Sequence, residues 1–201
     1  MTEDRKREII YATLELAAEN GLGKVSMQQI ADKVGIKKAS LYNHFSSKDE
    51  IIETMYEVLR RASKEKSAVS IDYDELTDGR SLEEILSIAV GSYRRMIRDP
   101  QMFLFYRIIM SERTISTTAS EIMVKETKTM IEATKNLFLL LRRKGIADFG
   151  DVDQAAFSFA MAVHSIIDYE LDLAQSGMKA DDGMMEGHIG EFCRIYGTKG
   201  E

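Results

Sequence analysis

Cysteine and proline are all but missing from this chain: of 201 residues, one is cysteine, Cys193, and one is proline, Pro100. A lone cysteine excludes an internal disulfide, and a reducing cytoplasm is the expected compartment. One proline and thirteen glycines point to long helices rather than many strands. No run of 18 apolar residues occurs, so no transmembrane helix is expected. The opening Met1-Thr2-Glu3-Asp4-Arg5 lacks the apolar stretch of a signal peptide. No segment alternates well enough for a strand, and no internal repeat or low-complexity tract stands out. No Ser/His/Asp set, phosphate-binding glycine loop or paired-carboxylate motif is apparent, so neither an enzyme nor a cofactor is expected. His164 and Asp168 stand at i and i+4, a metal-capable spacing. Two ligands are too few, and His44 and His188 lie elsewhere, so no metal is expected. An apolar fraction of 44% and a charged fraction of 30% suit an ordinary soluble fold, of one domain or two small ones.

What is present is concentrated between Ser26 and Glu50. Ser26 is a good N-cap, with Gln29 three residues on to complete a capping box. Ile30, Ala31 and Val34 mark one helical face, and Ala31 is small enough for a second helix to cross closely. Gly35 falls where the chain must turn sharply, with positive φ. The next helix begins near Lys38 and turns Leu41 and Phe45 inward at i and i+4. Its outer face keeps Lys37, Lys38, Ser40, Tyr42, Asn43 and His44, donors for phosphates and base edges with no acid among them. That is the layout of a helix-turn-helix whose second helix enters the DNA major groove. The alternative is a merely solvated lysine-rich face.

A net charge of −6 at first argues against DNA. Residues 1–66, however, carry 12 basic and 11 acidic side chains, and residues 67–201 carry 15 and 22, balances of +1 and −7. Within 37–48 there are three lysines and no acid. The basic surface is local, and the acidic remainder is expected to face away from DNA.

Around this segment the chain reads as helix after helix. Thr2 can cap a first helix with stripe Ile10, Leu14 and Ala17, widened by Ile9, Ala12 and Leu16, ending at Asn20-Gly21. Ser47 and Glu50 form a second capping box, opening a helix with Ile51, Ile52, Met55, Val58 and Leu59 inward. Residues 69–80 break the period and read as a connection. Further helices are predicted from Ser81 with Glu84, from Pro100, from about Thr117 to Arg143, from Asp151 or Asp153 to about Gln175, and from about Asp182 to Tyr196.

Over residues 5–60 the chain resembles the TetR family of bacterial and archaeal transcriptional regulators. The resemblance is carried by Ile30-Ala31, Gly35, Leu41-Tyr42-Asn43-His44-Phe45 and Lys48-Asp49-Glu50. Beyond residue 70 it is one of architecture alone. It implies an all-α fold of about nine helices. Residues 1–48 would form a three-helix DNA-binding domain, its connecting helix running to about 66. Residues 49–201 would form a helical effector-binding and dimerisation domain. One departure is Lys37, which stands where a serine or threonine often caps the recognition helix. The resemblance implies phosphate contacts from Ser26, Gln28, Tyr42, Lys48 and their neighbours Lys37 and His44, and base readout by Lys38, Ala39, Ser40 and Asn43.

A recognition helix covers few base pairs, so a homodimer on a palindromic operator is implied, with helices about 34–36 Å apart. The helix from Asp153 to Leu173 is apolar on more than one side, which suits a partner face as well as a core face. The final helix adds Met185, Ile189, Phe192 and Ile195. The alternative is that all of this is intramolecular core. A small lipophilic effector is expected among Met96, Met102, Phe103, Tyr106, Met110, Met123, Met130, Phe157, Met161 and His164, adaptable side chains that would also serve as ordinary core. The expected function is that of an effector-released repressor. The competing reading is a DNA-binding structural or cell-division factor of the same fold with no effector. Cys193 sits beside Arg194, which could lower its pKa, but a buried structural thiol at a helix interface is the expected reading.

Overall fold

Helix caps set the architecture, and most of the expected caps are made. The computed structural model describes residues 2–66, 73–179 and 183–198. They form ten α-helices and no β-strand: α1 Thr2–Asn20, α2 Met27–Val34, α3 Lys38–Tyr42, α4 Lys48–Lys66, α5 Tyr73–Thr77, α6 Leu82–Ile97, α7 Pro100–Glu112, α8 Thr117–Arg143, α9 Val152–Gln175 and α10 Met184–Tyr196. Ser81 and Glu84 close a full capping box at α6: Glu84 N–H donates to Ser81 Oγ at 3.3 Å, and Ser81 N–H donates to the Glu84 carboxylate at 2.8 Å. Asp99 caps α7, with Pro100 in its first turn. Of the two candidates for α9, Asp151 is the cap, accepting from Gln154 N–H at 3.1 Å.

Three expectations need correction. The 69–80 connection contains α5, stabilised at its C-terminus by Arg80, whose Nη1 donates to the carbonyls of Glu75 and Leu76 at 2.5 and 3.0 Å. Residues 69–72, the Thr2 side chain and the expected helix start at Asp182 fall outside the described residues. A 3-10 turn, Leu22–Lys24, follows α1, where only a helix end was foreseen. At α4, Glu50 N–H does donate to Ser47 Oγ at 3.1 Å, but the Glu50 carboxylate turns to Ser46, accepting from its N–H at 2.6 Å and its hydroxyl at 2.7 Å. Those two bonds, the hydroxyl first, hold the Glu50 carboxyl below its ordinary pKa. For Cys193 the expected reading, a buried rather than an activated thiol, is the one that holds. Arg194 does not activate it: the guanidinium pairs with Glu191, with Nε 2.8 Å from Oε2. Burial pushes the thiol up to about 11.

The helices gather into two compact units. The first joins Met1–Ala68 with Met96–Lys125, and the second joins Val69–Arg95 with Glu126–Glu201. The first is cored by Ile9, Ile10, Ile30, Leu41, Phe45, Ile51, Leu59 and Ile109, all fully buried. Thr13, buried with them, donates its hydroxyl to the Ile9 carbonyl at 2.8 Å, so its own polar group is satisfied. The second is built on aromatic rings. Phe138 stacks on Phe149 with centroids 4.1 Å apart and lies 5.6 Å from Phe159 and 5.5 Å from Phe192. Arg94 of α6 pairs with Glu170 of α9 in the same unit. After α10 the chain bridges Gly197 to Ala147, and Thr198 Oγ1 donates to the Gly145 carbonyl at 2.8 Å.

His188 belongs to this aromatic set, 5.2 Å from the Phe159 ring. Its Nε2 is buried without a hydrogen-bond partner, and burial lowers its pKa below the ordinary 6.5. The unfolded chain therefore binds the proton more readily than the folded one, and stability falls as pH drops through 6.5. The expected result is a melting temperature lower at pH 5 than at pH 7, with the difference reduced in His188→Leu. Thermal melts of both proteins at the two pH values check it. Equal pH dependence in both would remove His188 as a cause.

Candidate nucleic-acid interface

The first unit presents the segment singled out above. Ser26 stands in extended conformation before α2 and makes the whole capping box: its Oγ accepts from Gln29 N–H at 3.3 Å, and Gln29 Oε1 accepts from Ser26 N–H at 2.9 Å. The Ser26 hydroxyl also donates to Gln29 Oε1 at 2.8 Å, and Gln28 Nε2 donates to Asp32 Oδ1 at 2.7 Å. At the other end Gly35 takes φ 74. Its N–H reaches the Asp32 carbonyl at 3.1 Å, and Ile36 N–H reaches that of Ala31 at 2.9 Å. This paired closure satisfies two terminal carbonyls and redirects the chain toward α3 in two residues.

Lys37 is the N-cap of α3, and its side chain makes no capping hydrogen bond. The helix proper is short. From Asn43 the amides shift to i−3 carbonyls, Asn43 to Ser40 at 3.2 Å and His44 to Leu41 at 2.9 Å, so Asn43 and His44 sit on a tightened turn. The inward pair is as expected: Leu41 is 0% and Phe45 1% exposed. On the other side Lys37, Lys38, Ala39 and Asn43 are exposed, Tyr42 is 47% exposed, and Ser40 and His44 are half-buried. His44 Nδ1 is buried without a hydrogen-bond partner. The burial of Leu41 and Phe45 fixes the rotation of α3, and that rotation turns its acid-free face outward. Lys48 behaves differently from the rest. Its Nζ donates to the carbonyls of Leu22 at 3.0 Å and Val25 at 3.1 Å, a contact that no local sequence pattern signals.

Residues 9–55 match the sequence profile of the bacterial regulatory proteins of the tetR family. Its N-terminal domain belongs to the TetR family. The chain is 39% identical over 56 residues to the HTH-type transcriptional repressor KstR2 of Mycolicibacterium smegmatis, covering 28% of this chain and 26% of that one. It is 30% identical over 76 residues to the nucleoid occlusion factor SlmA of Vibrio cholerae, covering 37% and 38%. The chain thus spans well under half the length of these curated relatives. The solved SmeT–triclosan complex superposes with a TM-score of 0.73 at 15% identity, covering 98% of this chain and 93% of that one. That likeness shows a shared fold over nearly the whole chain.

The ten effector candidates divide between the units. In the first, Met96, Met102, Tyr106 and Met123 are buried, while Phe103 and Met110 are half-buried. A cleft of about 450 Å³ in that unit, between α4 and α8, is lined by Glu53, Glu57, Glu121 and Lys125 among others, and by none of the ten. In the second, Met130 is buried, and Met161 and His164 are half-buried. Phe157 lies on the surface of α9. His164 Nε2 is 3.6 Å from Asp168 Oδ2, and no group of three or more metal-capable side chains occurs among the described residues.

Proposed function

We propose that the protein is a homodimeric repressor that binds a palindromic operator through α3 and releases it on taking up a small apolar or amphipathic effector. The observation that carries the DNA-binding part is the outward, acid-free face of α3, fixed by the buried pair Leu41 and Phe45. Lys38, Ala39, Ser40 and Asn43 are placed for base edges, while Ser26, Gln28, Lys37, Tyr42 and His44 contact the backbone. Repression is supported by the name of KstR2, and a small apolar effector by the triclosan bound to SmeT. α9 supports the dimer: it buries Phe159, Ala160, Val163 and Ile167, and also presents Phe157 and Tyr169 to solvent. The effector domain is assigned to residues 49–201.

The test begins with selection of bound duplexes from random genomic fragments. One recurring palindrome supports an operator. Many scattered sites with no response to ligands support instead a factor of the SlmA kind, the reading favoured by that relative. On the selected duplex, Asn43→Ala should change base preference at one position by about 1–3 kcal/mol. Tyr42→Phe should weaken all sequences alike. Competition binding against single-base variants reads both. If Asn43→Ala leaves every preference intact, the assigned base contact is wrong. A panel of lipophilic compounds should contain one that raises the melting temperature and weakens operator binding; a panel that does neither sinks the effector.

A further inference from the structure

The turn between α1 and α2 is held from two sides. From the first turn of α4, Lys48 places its ammonium on the carbonyls of Leu22 and Val25. From the C-terminus of α7, Glu112 accepts a hydrogen bond from Gly23 N–H, 3.4 Å from its Oε1. Each charge meets backbone groups of the matching polarity, a cation at two carbonyls and an anion at an amide. The turn leaves room for both. Gly21 takes φ 81, a conformation that favours glycine, and a Cβ on Gly23 would stand 3.7 Å from Glu112 Oε2. Val25, whose carbonyl Lys48 holds, directly precedes Ser26, the N-cap of α2. Whatever fixes this turn fixes the start of the helix-turn-helix.

We propose that Lys48 and Glu112 are positioning residues for DNA binding: together they set the 21–25 turn, and through it the N-terminus of α2 and the approach of α3. The proposal rests on the DNA-binding reading above. It reassigns Lys48, which the family pattern would place on a phosphate. Two of the three N–H bonds of its ammonium are directed at protein carbonyls. Glu112, outside the helix-turn-helix altogether, joins the reading head through a single amide.

Salt dependence separates positioning from phosphate contact. A lysine that neutralises a phosphate releases a counterion, and its loss lowers the slope of log K against log salt by about 0.9. A positioning lysine lowers affinity with the slope unchanged. Binding of the wild type, Lys48→Met, Glu112→Ala and Glu112→Gln to a duplex selected with the wild type is measured by anisotropy across a salt series, with circular dichroism to confirm folding. Lys48→Met should raise Kd about tenfold at unchanged slope, and Glu112→Ala about fivefold. Glu112→Gln, which keeps an acceptor for Gly23, should stay within about twofold of wild type. A slope reduced by about 0.9 in Lys48→Met overturns the assignment of Lys48. Glu112→Ala binding as tightly as wild type, or more tightly as removal of a distant repulsive charge would give, overturns that of Glu112. If Lys48→Met does not fold, the two Glu112 variants decide. Failure of the wild type itself to bind DNA removes the underlying reading; an intact wild type with either adverse result removes the positioning alone.

Discussion

Phe157→Glu should leave the protein monomeric at micromolar concentration while its melting temperature changes little. Phe157 is an exposed aromatic on α9, two residues from Phe159, which is 4% exposed within the aromatic core of its unit. In a single chain the new carboxylate would sit in water and cost little. In the proposed dimer it would be buried without a partner, a severe penalty. Operator binding should suffer with the dimer. Two linked heads bind with an effective concentration that separate heads lack, so affinity for the palindrome should fall by about 10²–10⁴-fold while affinity for a half-site stays the same. Light scattering reads the oligomeric state, and anisotropy on whole and half palindromes reads the rest. A dimer that survives the substitution would move the interface away from this face of α9.

The largest loss of stability is expected from Phe138→Ala. Phe138 is 0% exposed and touches three further phenylalanines from different parts of its unit. Removing the ring leaves a cavity that the three remaining rings cannot close, so the cost should be about 3–5 kcal/mol. Set against a total stability of about 5–15 kcal/mol, this takes the protein toward the edge of folding at body temperature. Urea unfolding followed by far-ultraviolet dichroism measures the shift in midpoint. A loss under about 1 kcal/mol would mean that the unit relaxes around the gap, and that the stacked pair contributes little beyond its area.

These two residues also mark where the sequence was legible and where it was not. Local signals carried most of the fold. Ser81 and Ser26 cap the helices their spacing promised, Asp151 caps α9 where Asp153 was the other candidate, and α8 and α9 end at Arg143 and Gln175 as expected. The inward turn of Leu41 and Phe45 followed from i, i+4 spacing. Contacts distant in sequence were not legible. Lys48 reaches carbonyls 26 and 23 residues away, and Glu112 an amide 89 residues away. No periodicity encodes either. Glu50 turned to Ser46 rather than Ser47, because a carboxylate can choose between two adjacent amides and only the loop geometry decides. The five residues of α5 are too few to show a helical period. Phe157 and Phe159 look alike in sequence, and only the rotation of α9 separates a surface ring from a core ring.

The burial that keeps Cys193 protonated has a practical consequence. Thiolates, not thiols, react with maleimides. With a pKa of about 11, the natural cysteine is sluggish toward such reagents at neutral pH. It is also the single cysteine of the chain. A cysteine introduced at exposed Ala39 would therefore label selectively without first deleting the native one. In the proposed dimer, a spin label there would turn the spacing of the two recognition helices into one measurable distance, taken with and without a candidate effector.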